Sequence, residues 1–197
     1  MPKGTPLTEE EQARRRREIF DAAVHLFLEK GFNETSMREI AEASGIGKST
    51  LYDYFTTKDE VLLSVIEDLI VSATAQARSI VARPLPAIER LRQVMMTHLE
   101  YLMAQKAFYL KLSFEVQRLS IESQQRIQKR RHAYQDLIRK LIEEGIAEGS
   151  IRKVDALVTA RTLITALTPA VYTSRPTGTP EQMLAQIFDI ILHGIQA

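Results

Sequence analysis

The chain of 197 residues contains no cysteine. That excludes a disulfide framework and thiolate chemistry, and it agrees with a cytoplasmic location. Net charge is almost absent: 26 Lys and Arg against 25 Asp and Glu leave +1. Such a balance excludes a non-specific nucleic-acid coat. No stretch of about 18 apolar residues occurs, so no membrane-spanning helix is expected. The opening MPKGTPLTEEEQ lacks the apolar centre of a secretory signal. Strand-type alternation, internal repeats and low-complexity segments are missing too. His25, His98, His132 and His193 lie far apart, with no H-E-x-x-H pair, so no metal is expected. There is no G-x-S-x-G nucleophile turn. No cofactor, no catalytic residue and no enzymatic activity are expected.

What is present is helical periodicity in a chain that is 45% hydrophobic. Its centre is Thr35 to Asp59, TSMREIAEASGIGKSTLYDYFTTKD. Ser36 with Glu39 forms a capping box that opens a short helix. Met37, Ile40 and Ala41 give it one apolar face. Ser44-Gly45 stops it, and Ile46 is the apolar residue of the turn. A second helix follows, from Gly47 or Lys48 to Phe55. Leu51 and Phe55 face inward, leaving Lys48, Ser49, Thr50, Tyr52 and Tyr54 outside. That is the spacing of a helix-turn-helix, whose second helix enters the major groove of DNA. The same spacing also suits a packed helical hairpin with a polar face. Gly45-Ile46-Gly47-Lys48-Ser49-Thr50 imitates the end of a phosphate-binding loop. Glu42 stands where that motif needs glycine, and a helix precedes it instead of a strand.

The surrounding segment Arg15 to Leu62 resembles the DNA-binding domain of the TetR family of bacterial transcriptional regulators. The resemblance is carried by Ala22-Ala23, Leu26-Phe27, Gly31-Phe32, Thr35-Ser36, Ile40-Ala41, Ser44-Gly45, Lys48, Thr50-Leu51-Tyr52, Tyr54-Phe55 and Lys58. Two departures stand out. Gly47 replaces the usual hydroxyl cap, and Asp53 puts an acid in the second helix. The resemblance implies that Thr35, Ser36, Lys48, Tyr52, Tyr54 and Lys58 hold phosphates. Ser49 and Thr50, with Arg38, would lie nearest the bases. Residues 1 to 58 carry 9 Lys and Arg against 10 Asp and Glu. DNA affinity must therefore come from where charges lie, including the Arg14 to Arg17 run, and not from their sum.

Residues 1 to 7 read as disordered. Thr8 with Glu11 caps a first helix that starts near Glu9 and ends at Gly31. Thr57 with Glu60 opens a long fourth helix to about Val81, roughly 36 Å at 1.5 Å per residue. Arg83-Pro84-Leu85-Pro86 breaks the chain. Helix five runs from Ala87 to Ala104 or Gln105, helix six from Phe108 to Ser120, and helix seven from Ser120 to about Glu148. Gly145 and Gly149 soften and stop the seventh. Asp155 caps an eighth, kinked at Pro169. Thr179, Pro180 and Gln182 start a ninth.

The expected architecture is all-α, with about nine helices. A helix-turn-helix domain spans 9–56, its motif about 36–55. A helical effector-binding and dimerisation domain spans 57–197. The ninth helix is apolar around much of its circumference and must be buried. One reading is an internal core. The other, which the resemblance implies, is a two-fold interface of the last two helices. Leu157, Ile164, Leu167 and Val171 of one would pack with Leu184, Ile187, Phe188, Ile191 and Ile195 of the other. Two half-sites about 34–36 Å apart favour a homodimer.

The resemblance also implies a small-molecule effector. Met95, His98, Tyr101 and Met103, with Phe108, Tyr109, Phe114, Tyr134 and Tyr172, read as pocket candidates or as plain core. The segment from Arg126 to Ala156 resembles TetR-like regulators of fatty-acid or acyl-CoA metabolism. Arg126, Lys129, Arg130 or Arg131 would then meet an anionic head group, or simply form a solvated face. The expected function is an effector-released repressor of a palindromic operator. The alternative is an all-helical protein-interaction module without sequence-specific DNA binding.

Overall fold

The computed structural model describes residues 8–194; the disorder expected of residues 1–7 and the interface role of Ile195 lie outside them. Among the described residues the regular elements are all helices. They are α1 (Glu9–Lys30), α2 (Met37–Ala43), α3 (Lys48–Tyr54), α4 (Lys58–Val81), α5 (Ala87–Ala104), α6 (Lys106–Arg118), α7 (Ile121–Ala147), α8 (Ala156–Leu167), α9 (Pro169–Tyr172) and α10 (Pro180–His193).

Local chemistry sets most of these ends. Thr8, Ser36 and Thr179 each close a reciprocal capping box, with Glu11, Glu39 and Gln182 respectively. Asp155 accepts from the Val158 N–H at 2.8 Å and starts α8. Three expectations change. Thr57 accepts from the Glu60 N–H at 3.1 Å, but the Glu60 carboxylate turns to Thr56 instead, taking its N–H at 2.7 Å and its hydroxyl at 2.9 Å. Gly145 does not soften α7. It is buried inside the helix, and a Cβ there would sit 2.7 Å from the Ile151 side chain, so glycine permits a close packing. Pro169 divides the expected eighth helix into α8 and α9, because it cannot donate to the preceding turn. The expected ninth helix is thus α10.

The chain forms two compact units. The first unit holds the described residues up to Ile66 together with Lys111–Gln124. Its core is Ile19, Ala23 and Phe27 of α1, Ile40 of α2, Leu51 of α3 and Leu62 of α4. Phe27 packs against Phe32, the rings tilted by 57° with centroids 5.1 Å apart. Lys111–Gln124 joins this unit because Leu112 and Leu119 are buried, the Lys111 ammonium donates to the Leu28 carbonyl, and Asn33 donates to Glu115 at 3.2 Å.

The second unit comprises Glu67–Leu110 and the described residues from Gln125 on. Leu91, Val94, Met95 and Leu99 of α5 pack with Ile138, Leu141 and Ile142 of α7 and with residues of α8 and α10. Arg90 clasps the proline turn. It donates to the Val81 carbonyl at 2.9 Å and the Leu85 carbonyl at 2.8 Å, and it pairs with Glu144 at 2.8 Å.

Candidate functional site

In the first unit, α2 ends in a tight left-handed turn. The Gly45 N–H donates to the Glu42 carbonyl at 3.2 Å, and the Ile46 N–H donates to the Ala41 carbonyl at 3.0 Å. This pair of bonds needs a positive φ between them, and Gly45 supplies +67°. Ile46 then drops into the core and fixes where α3 begins. Gly47 caps α3 with no side-chain hydrogen bond, as the sequence implied.

Leu51 and Phe55 anchor α3 inward. Its opposite side presents Lys48 and Ser49 exposed, Thr50 and Tyr54 half-buried, and Tyr52 43% exposed. The Lys48 ammonium lies 5.8 Å from the Tyr52 ring centroid and has no carboxylate partner among the described residues. A cation, two hydroxyls and an aromatic hydroxyl therefore share one accessible surface. That combination suits phosphate oxygens and base edges.

Other residues expected at this interface have different work. Thr35 is 2% exposed, and its hydroxyl donates to the Gly31 carbonyl at 2.8 Å, so it closes α1 and is out of reach of a phosphate. Lys58 is corrected as well. Its ammonium donates to the carbonyls of Asn33 at 3.0 Å and Thr35 at 2.7 Å, also to that of Phe32, and lies 4.5 Å from the Phe32 ring centroid. Burial lowers its pKa. It staples the loop before α2 to the start of α4. The Ser36 hydroxyl is engaged in its capping box, and Arg38 pairs with Glu42 at 2.8 Å on an exposed surface. The sequence did not reveal the Lys30–Glu39 pair, which spans nine residues and holds the Glu39 carboxyl down at about 2, mainly through the Lys30 hydrogen bond.

The second unit contains a narrow, partly open cleft with about 10 Å³ of space that a water molecule can occupy. Ala73, Gln76 and Ala77 of α4, Val94, Thr97, His98 and Tyr101 of α5, and Tyr134 of α7 line it. His98 stacks on Tyr134, centroids 5.2 Å apart at 28°. Burial holds the His98 imidazole down at about 4 and pushes the Tyr101 and Tyr134 phenols above their usual range. All three are uncharged at neutral pH. Among the described residues, His98 Nδ1 and Tyr101 Oη are buried with no hydrogen-bond partner.

The structure brings His98, Tyr101 and Tyr134 together. It separates the other pocket candidates. Met95 and Phe108 are core residues, and Tyr109 packs half-buried against the core. Met103 and Tyr172 are exposed at 37% and 52%, and Phe114, at 72%, belongs to the first unit. Ala73 and Ala77 were missed, although two small residues four apart on one helix face are a signal for space. Arg126 and Arg130 reach Glu67 at 2.6 Å and 3.6 Å, which neutralises part of the expected basic face.

The interface candidates divide in the same way. Leu167, Val171, Leu184 and Phe188 are 5% exposed or less and lie in the core of their own unit, with the Arg92 guanidinium 4.8 Å over the Phe188 ring. Their side chains are taken up by that core. Leu157, Ile164, Ile187 and Ile191 are half-buried, while Val158 and Ile190, 57% and 52% exposed, point outward. Among the described residues, no helix is long and apolar enough to cross a membrane, and no cluster of metal-ligating side chains occurs.

Comparison with known proteins covers both units. Residues 19–65 match "Bacterial regulatory proteins, tetR family", and residues 84–195 match "Tetracyclin repressor-like, C-terminal domain". The chain is 29% identical over 187 residues to the HTH-type transcriptional repressor KstR2 of Mycobacterium tuberculosis, covering 92% of each protein. The crystal structure of a TetR/AcrR-family transcriptional regulator from Thermobifida fusca superposes with a TM-score of 0.76 at 28% identity, covering 93% of this chain and all of that one. AibR, solved in complex with isovaleryl coenzyme A and operator DNA, superposes with a TM-score of 0.72 at 25% identity, covering 90% and 98%.

Proposed function

Because the chain belongs to the TetR family of bacterial regulatory proteins, we propose that it represses transcription from a palindromic operator and releases it when a small molecule occupies the His98 cleft. The observation that carries this reading is the outer side of α3. An unpaired Lys48, exposed Ser49 and accessible Tyr52 are set at a fixed angle by the Gly45 turn.

Ser49 and Thr50 read base edges, with Arg38 exchanging Glu42 for a base or phosphate. Lys48, Tyr52 and Tyr54 hold the backbone. Residues 9–56 read DNA; the remainder binds effector and dimerises. A homodimer reads two half-sites about 34–36 Å apart. Its interface uses the outward side chains Val158 and Ile190, flanked by Leu157, Ile164, Ile187 and Ile191. The effector is lipophilic or an acyl thioester. The AibR structure supports that class, because it contains an acyl-coenzyme A. Coupling between the two functions is typically 1–3 kcal/mol, or about 5–150-fold in operator affinity. The protein works in the cytoplasm, where the DNA is, and has no catalytic role in this reading.

The test is selection of bound fragments from random double-stranded DNA, followed by affinity against salt. The expected outcome is an enriched palindrome whose log affinity falls linearly with log salt. Enrichment of no sequence by the effector-free protein would move the interaction-module reading ahead.

A further inference from the structure

The cleft carries a chemical preference in its lining. His98 and Tyr101 lie three residues apart on α5, so their side chains leave the same face of the helix. Each brings one buried polar atom, Nδ1 and Oη, that no described residue satisfies. Buried polar atoms without partners are costly to keep, and they recur where a ligand supplies the missing bond. Around them lie the apolar Ala73, Ala77 and Val94 and the uncharged polar Gln76 and Thr97. No lysine or arginine lines it. Burial, and then the Tyr109 phenol and the Asp68 carboxylate, raise the Tyr101 pKa. Burial keeps the His98 ring neutral, so it brings no cation either.

A carboxylate entering this space would lose its hydration and meet no positive charge. A carbonyl oxygen loses far less on entry, and the Tyr101 hydroxyl can donate to it. The His98 Nδ1–H tautomer would donate a second bond. Resting on the reading of this cleft as the effector site, we infer that it selects an uncharged carbonyl group on an apolar chain, such as a thioester, ester or ketone, over the corresponding free acid. As it stands the cleft has room for about one water, so the carbonyl oxygen takes that place and its chain must widen the space.

Calorimetric titration of the full chain with 2-octanone and with octanoate at pH 7.5 tests this. The ketone is expected to bind at least about tenfold more tightly, the range of one satisfied hydrogen bond against an unpaired buried charge. Tyr101→Phe is expected to fold with a Tm at or above that of the unchanged protein, because it removes an unsatisfied hydroxyl, and to bind the ketone about tenfold more weakly. His98→Leu, as a second variant, should weaken the ketone similarly. Octanoate binding as tightly as the ketone would overturn the selectivity and leave the effector site standing. Ketone affinity unmoved in both variants would also overturn it. Binding of neither probe would remove the effector reading of the cleft along with the preference.

Discussion

The helix-turn-helix and the carboxy-terminal helices α8 to α10 present the same kind of sequence signal and yield to it differently. In α2 and α3, seven residues each, the apolar positions are few, and Ile40, Ala41 and Leu51 are all buried. What remains polar is outside. In α8 and α10 apolar residues occupy more than one side. Residues assigned to a single interface are divided between a closed core (Leu167, Leu184, Phe188) and a partly open face (Leu157, Ile164, Ile187, Ile191). A narrow apolar stripe has one place to go. A wide one must be shared between two environments, and periodicity does not say which residue goes where.

The largest effect separates those two environments. Phe188→Ala removes a ring that is 1% exposed and sits under Arg92. A loss of about 3–5 kcal/mol is expected, independent of protein concentration. Ile190→Glu, at a position 52% exposed, should leave the fold intact and yield monomer with weakened operator binding. Urea unfolding together with sedimentation distinguishes the outcomes. A folded, wild-type-stable monomer from Phe188→Ala would restore the interface that the sequence suggested. A stable dimer from Ile190→Glu would remove the outward face from the proposed interface.

The cleft gives the next effect, through pH. His98 holds its pKa near 4 when folded against about 6.5 unfolded. Between those values the unfolded chain binds a proton that the native imidazole refuses. Stability is therefore full above about pH 6.5 and falls as pH drops toward 4, by up to about 3 kcal/mol. Thermal unfolding across pH 4.5 to 7.5 should show this fall, and His98→Leu should flatten it. Glu39, held near 2 by Lys30, acts in a separate window below about pH 4.5, where its carboxylate contribution is lost on acidification. An equally steep fall from pH 6.5 in His98→Leu would assign the effect to another group.

What the sequence disclosed follows the range of the interactions. Capping boxes at Thr8, Ser36 and Thr179 span three residues, and the Gly45 turn spans five; both are legible because their partners are neighbours. Pro169 announced a break, though not that a separate short helix would follow it. The pairing of His98 with Tyr134 links positions 36 residues apart (134 minus 98), and only their aromatic character hinted at it. Lys30 with Glu39, Arg126 with Glu67, and Gly145 beneath Ile151 carry no periodic or motif signal. They depend on how helices meet in space. The same limit explains Thr35 and Lys58. Residue type and order suggested phosphate contact, while their hydrogen bonds close the loop between α1 and α2.

Two lysines bring the comparison to its finest scale, because Lys48 opens α3, Lys58 opens α4, and their ammonium groups touch different things. Lys58→Met leaves the Phe32, Asn33 and Thr35 carbonyls without their donor, and a stability loss of about 1–3 kcal/mol is expected, with the salt slope of operator binding unchanged in whatever folds. Lys48→Ala removes an exposed cation that holds nothing in place, so unfolding should move by less than about 0.5 kcal/mol. Its effect is expected on DNA instead. Affinity should fall by roughly 1 kcal/mol, and the slope of log affinity against log salt should lose about 0.9 per protomer, one phosphate each. A Lys48→Ala protein with an unaltered slope would mean that the cation faces solvent even on DNA. The phosphate contacts would then lie elsewhere, with the Arg14 to Arg17 run of α1 the first place to look, since its guanidinium groups are exposed apart from the half-buried Arg15.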